Sequence, residues 1–211
     1  MCQVSAERCP GKMEAPTSTM NLINRYRGGE EEAFSSLFEK YQRRLAVLIY
    51  YKLGSGLRQS FDVDDILQET FFAASEQMAT FSYRSPGSFM SWLSAIADHA
   101  IIDAARFQNR QKRRPAEMLR LRSESNPGGP EPVDTKTPSR LFAQEEQLKK
   151  LLERLTALPA QYRQVILLAK FEGLSTLEIA EQMKKRREDV ALLLHRALKR
   201  LRESETIPPQ I

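Results

Sequence analysis

Apolar side chains recur at every third or fourth position through two long stretches of this chain, and neither stretch shows a run of alternating β-branched residues. Ala33, Phe34, Leu37, Phe38, Tyr41, Leu45, Leu48 and Ile49 form one such stripe, predicting a long amphipathic helix ended by Gly54 and Gly56. A second helix is predicted to start at Asp62, a good N-cap, and to run to about residue 79. Asp64 and Asp65 lie in its first turn, against the positive end of the helix dipole. Residues 81–88, with Tyr83, Arg84, Pro86 and Gly87, read as a loop. Ser88 can cap a third helix reaching about residue 113, whose apolar stripe is Phe89, Trp92, Leu93, Ile96, Ala97, Ala100, Ala104 and Phe107.

Four further helices are predicted over 144–157, 160–171, 176–183 and 187–203. Leu158 and Pro159 separate the first two, and Gly173 ends the second. Ser175 and Glu178 have capping-box spacing, each side chain meeting an orphan backbone donor. About three residues then separate a short helix from a long basic one, which is helix-turn-helix spacing. Between the two stretches, 126–138 holds Pro127, Gly128, Gly129, Pro130, Pro132 and Pro138 with almost no apolar side chain, the mark of a flexible linker. The expectation is an all-α protein of two small helical domains joined by that linker. Its parts are an N-terminal extension 1–20 expected to be disordered, a domain 21–113, a linker 114–143, a helix-turn-helix domain 144–204 and a tail 205–211.

Composition narrows the class. The 211 residues are 41% hydrophobic and 28% charged, enough to bury a core. The longest apolar run, 45–51, is far below the ~20 residues that cross a bilayer, and residues 1–20 lack a signal-peptide stretch. Cys2 and Cys9 make no disulfide framework, and a cytoplasmic location is expected. With Met13 and Met20 nearby, residues 1–20 are either a translated upstream extension or a control segment with redox cysteines. His99 and His195 stand apart from any second metal ligand, and no nucleophile elbow or phosphate loop occurs, so no metal, cofactor or enzymatic activity is expected.

The net charge of +5 is unevenly placed. Residues 106–122 carry seven basic and one acidic side chain, 123–147 two and five, and 148–203 thirteen and seven. Two basic zones flanking an acidic linker fit two contacts with one long polyanion, or two solvated helix faces. On the last helix, Val190, Leu194, Ala197, Leu198 and Leu201 share one face and Glu188, Leu192, His195, Arg196, Lys199 and Glu203 the other, with Lys184, Lys185, Arg186 and Arg187 at its start. Such a face suits a DNA major groove, and a solvated face of a helical bundle is the alternative. Leu192 reads as a thymine-methyl contact or a small partner site. Phe81, Tyr83, Phe89 and Trp92 surround the loop before the basic end of the third helix, where unpaired bases can stack on aromatic rings. Phe89 and Trp92 lie on the apolar stripe, leaving Phe81 and Tyr83 as the freer rings. Asp103, beside that stripe, is placed to pair with Arg106.

The stretch 62–71, DVDDILQETF, followed by Phe89, Trp92-Leu93, Ile96-Ala97 and Asp103, resembles region two of the bacterial sigma-70 family. Leu158-Pro159, Arg163, the run 173–180, Val190, 194–197 and Leu201-Arg202 resemble region four. The two-region layout is similar to the extracytoplasmic-function (ECF) group. The resemblance implies a specificity subunit, not an enzyme, that binds core RNA polymerase and directs promoter-specific initiation. In that reading region two melts the −10 element and region four binds the −35 element. By position it implies polymerase contacts at Asp65, Gln68 and Glu69, and −10 contacts at Phe81, Tyr83, Asp98, His99, Arg106, Asn109 and Arg110. The −35 contacts would be Lys184, Lys185, Arg186, Arg187, Leu192, His195, Arg196 and Lys199. An anti-sigma factor is a usual partner in that family, and no membrane contact is implied. The family's common asparagine is His99 here, and the positions after Val190 that are often Lys, Ser and Arg are Ala191, Leu192 and Leu193. The alternatives are a polymerase-independent regulator using the helix-turn-helix alone and a helical protein-interaction module.

Overall fold

The computed structural model describes residues 18–85, 87–112 and 145–204, and among these it contains helices and no strand. The expected linker and tail lie outside the described residues. The N-terminal unit holds α1 (Thr19–Arg27), α2 (Glu31–Leu57), α3 (Val63–Gln77) and α4 (Ser88–Lys112). The C-terminal unit holds α5 (Glu146–Ala157), α6 (Ala160–Ile166, continuing as a π-helix over Leu167–Glu172), α7 (Thr176–Met183) and α8 (Arg187–Glu203).

Helix α1 crosses the boundary drawn at residue 20. Periodicity did not mark it, because its polar residues outnumber its apolar ones, yet Leu22 and Ile23 are buried and the Ser18 hydroxyl accepts from the Asn21 amide. The Thr19 hydroxyl meets the buried Tyr41 hydroxyl at 2.7 Å, pinning α1 to α2, and burial raises the Tyr41 pKa above its ordinary value.

Helix α2 carries the predicted stripe into the core, with Ala33, Leu37, Leu45 and Ile49 fully buried. Side chains of this kind contribute roughly 1.5–3 kcal/mol each by burial. Gly54 interrupts the helix as expected, with φ 63° and ψ 170°, but one more turn follows to Leu57. Helices α3 and α4 close the unit with Phe71, Met78, Phe89, Met90 and Leu93. Phe107 corrects the α4 stripe: near the helix end it has little left to cover it, is 48% exposed, and touches Phe61 edge-on at 6.4 Å.

In the C-terminal unit Leu155, Val165, Ile166, Ile179, Val190 and Ala197 build a second core, continuous with the first. The predicted capping box is present: the Ser175 hydroxyl accepts from the Glu178 amide, and a Glu178 oxygen accepts from the Ser175 amide at 2.7 Å. Those Ser175 hydrogen bonds hold the Glu178 carboxyl below the usual carboxylate range. Ser175→Ala should lower stability by about 1 kcal/mol in denaturant unfolding. Because the folded state favours the carboxylate, that contribution is present at neutral pH. It is lost as pH falls through the lowered value, so the difference between wild type and variant should shrink as the solution is acidified below the usual carboxylate range.

Candidate nucleic-acid and protein interfaces

Helix α3 buries Val63, Ile66, Leu67, Thr70, Phe71 and Ala74, which leaves Asp65, Gln68 and Glu69 exposed together on its opposite side. Asp62 caps the helix, its carboxylate accepting from the Asp64 amide at 3.1 Å. Phe72, 66% exposed, extends the same face and was not singled out from the sequence.

The loop after α3 is held from both ends. The Arg27 guanidinium donates to the Met78 carbonyl at 2.8 Å and to the Phe81 carbonyl. At the other end, Ser88 is the first residue of α4. Its hydroxyl accepts from the Arg84 and Ser85 amides at 3.1 and 3.2 Å and donates to the Ser85 carbonyl, so it organises the loop instead of capping the helix as expected.

Phe81 is also corrected. It is 7% exposed, and its ring lies 4.7 Å from Trp92 and 5.4 Å from Phe89, so it is a core ring and not a free stacking surface. Tyr83 is half-buried, while Ser82 and Arg84 are exposed. An open cleft of about 520 Å³ lies beside this loop, lined by Ser82, Arg84, Ser91 and Trp92 and, from the other unit, by Leu174 and Glu178.

Along α4, His99, Arg106, Asn109 and Arg110 are exposed. Arg106 pairs with Asp103 at 3.2 Å, as its spacing predicts. Asp98 is only partly open, because Lys52 of α2 meets its carboxylate at 2.8 Å. The sequence reading assigned no role to Lys52, and the one available signal was a cation next to the otherwise apolar run 45–51 of α2.

Helix α8 is two-faced as predicted. Val190 and Ala197 are fully buried, and Leu192, His195, Arg196 and Lys199 are exposed on the far side. Lys184, Lys185, Arg186 and Arg187 all reach solvent in the turn. Lys184 holds the left-handed conformation at φ 52°, and its amide and that of Lys185 satisfy the last carbonyls of α7. A glycine there would avoid strain of roughly 1–2 kcal/mol. Arg186 pairs with Asp189 at 3.1 Å in the open, a contact weak enough to exchange for phosphate. Arg187 donates to the Thr176 hydroxyl at 3.4 Å, which ties α7 to α8. These exposed cations on a straight helix about 25 Å long fit phosphate contacts flanking a groove.

Fold and faces thus define a class: an all-helical, two-unit protein with a cation-faced helix-turn-helix and an acidic helical face on the other unit. The family model described as ECF sigma factor matches residues 16–205. The ECF RNA polymerase sigma-E factor of Escherichia coli strain K12 is 30% identical over 164 residues, covering 77% of this chain and 81% of the relative. The ECF RNA polymerase sigma factor BldN of Streptomyces coelicolor is 29% identical over 185 residues, covering 86% of this chain and 64% of that protein. A solved structure of CnrH in complex with the cytosolic domain of CnrY is similar at a TM-score of 0.41 and 22% identity, covering 89% of this chain and 96% of that one. The chain belongs to the ECF sigma factor family, whose work is transcription initiation with RNA polymerase. Among the described residues no helix is long and apolar enough to cross a membrane.

Arg27→Ala should release the loop. Amide hydrogen exchange over 79–85 is expected to speed up by tenfold or more, with α2 and α8 unchanged.

Proposed function

We propose that this sigma factor divides promoter recognition between its two units. The outer side of α8 binds the −35 element. The loop around Tyr83 and Arg84, with His99, Arg106, Asn109 and Arg110 of α4, engages the melted −10 strand. Asp65, Gln68 and Glu69 of α3 meet core RNA polymerase. The observation that carries this reading is the two-faced α8, which buries Val190 and Ala197 and leaves Arg196 and Lys199 exposed on the other side, Lys199 in an open 3.9 Å ion pair with Glu203 that a phosphate can displace. Phe81 acts here from inside, as the support under Tyr83 and Arg84. An anti-sigma factor is a further expected partner on family grounds.

Run-off transcription with purified core polymerase tests the reading. Promoter-dependent initiation is expected, and its absence together with no core binding would refute it. Tight duplex binding without any polymerase dependence would instead favour a free-standing helix-turn-helix regulator.

Asp65→Arg should weaken core binding by roughly tenfold, about 1.4 kcal/mol, in a titration with core enzyme, while the fold is kept and stability drops by no more than about 1 kcal/mol, the loss of one exposed first-turn charge on the helix dipole. Arg196→Ala should lower promoter affinity and reduce the slope of log affinity against log salt by about 0.9, one phosphate's worth of released counterions.

A further inference from the structure

A helix seated in a major groove reads base edges with the side chains of its first turns, while cations around them hold phosphates. On α8 those first turns carry an acid and a leucine. Glu188, Leu192, His195 and Lys199 follow one another at spacings of four, three and four, so they form a single stripe along the helix, and all four are exposed. The stripe lies opposite Val190 and Ala197, which are fully buried, and so it is the part of α8 that points furthest from the protein. The cations of the turn precede it, and Arg196 borders it.

Two of these side chains are the wrong chemistry for phosphate. The Glu188 carboxylate is repelled by a duplex backbone and gains only from a hydrogen-bond donor, and the donors in a major groove are the amino groups of cytosine and adenine. The nearby Arg186 is engaged by Asp189 at 3.1 Å and not by Glu188. Of the two amino groups a carboxylate matches that of cytosine, because adenine sets the N7 acceptor beside its own, against the second carboxylate oxygen. Leu192 is 48% exposed, and a leucine that leaves water gains only against another apolar group. In a major groove that group is the C5 methyl of thymine. Single exposed leucines are common on protein surfaces. This one is set apart by its place, on the centre line of a stripe bordered by cations.

We infer that Glu188 and Leu192 are the base-reading pair of α8. Glu188 accepts from the N4 amino group of a cytosine, and Leu192 packs on the C5 methyl of a thymine. The four residues between them rise about 6 Å along the helix, close to two base-pair steps of ~3.4 Å, which puts the two bases within about two pairs of each other. The inference rests on the −35 reading above and deepens it, since phosphate contacts alone carry no sequence information. The flanking cations supply affinity for any duplex, and the acid and the leucine supply the choice among sequences.

The test uses the full chain reconstituted with core polymerase and a duplex library randomised over the −35 element. Wild type should enrich a thymine with a cytosine within about two base pairs of it, on either strand. Replacing that thymine by uracil deletes the methyl group alone and should weaken wild-type binding about fourfold, the worth of one buried methyl. Leu192→Ala should bind the thymine and uracil duplexes equally. Glu188→Gln should move the preference at the cytosine towards adenine, whose N6 and N7 suit an amide. Both side chains are exposed, so neither variant removes a core contact. Enriched sites without the pair, equal wild-type affinity for thymine and uracil, or a Leu192→Ala variant that loses core binding with its base preference intact, the mark of a protein docking site, would each overturn the inference. If −35 sites are enriched and Arg196→Ala loses them, yet the methyl makes no difference, the readout fails and the −35 reading stands. If no −35 sequence is enriched, the −35 reading fails and takes the readout with it.

Discussion

Helix α2 has to satisfy two neighbours at once, and every other element takes its place from that constraint. Along one side Leu37, Tyr41, Leu45 and Leu48 pack against α1, α3 and α4. Along another Arg43, Arg44, Tyr51 and Lys52 hydrogen-bond or pair with the C-terminal unit. An apolar side alone would have left a four-helix unit with a free flank. The cations and the tyrosine on the second side give that flank a partner through hydrogen bonds and ion pairs. Helix α2 is thus apolar towards its own unit and meets the other through polar contacts laid over a continuous apolar core.

The same division runs through the proposed contact surfaces. Each is the leftover side of a helix whose other side is buried: Asp65, Gln68 and Glu69 opposite Ile66 and Phe71, and Arg196 and Lys199 opposite Val190 and Ala197. Core packing therefore sets the direction of these side chains without touching them. The loop before α4 differs, because no helix orients it. Arg27 from α1 and Ser88 from α4 hold its backbone, and Phe81 anchors it from below.

Much of this was legible in the chain. The helix-turn-helix could be read because its signals are local: a capping box spanning four residues, a glycine at a left-handed position, and a 3.6-residue period in α8. The same holds for Asp62 and the start of α3. Three readings failed for a common reason. Phe81 looked free because its partners Trp92 and Phe89 lie beyond a turn. Ser88 looked like a cap because the loop amides that claim its hydroxyl are folded back on it. Helix α1 was missed because two buried side chains and a hydroxyl bound to Tyr41 hold it, and no periodic stripe marks it.

The amino-acid sequence by itself determined which segments beyond α1 are helical, which side of each is apolar and where the cations cluster, since these follow from neighbours within a few residues. Only the tertiary structure decided that Lys52 bridges Asp98 and Glu172, that Gly87 abuts Gly173 and that Arg27 holds the loop. Those contacts join residues from about 50 to more than 100 positions apart, and no local pattern encodes a partner that the rest of the fold must first bring within reach.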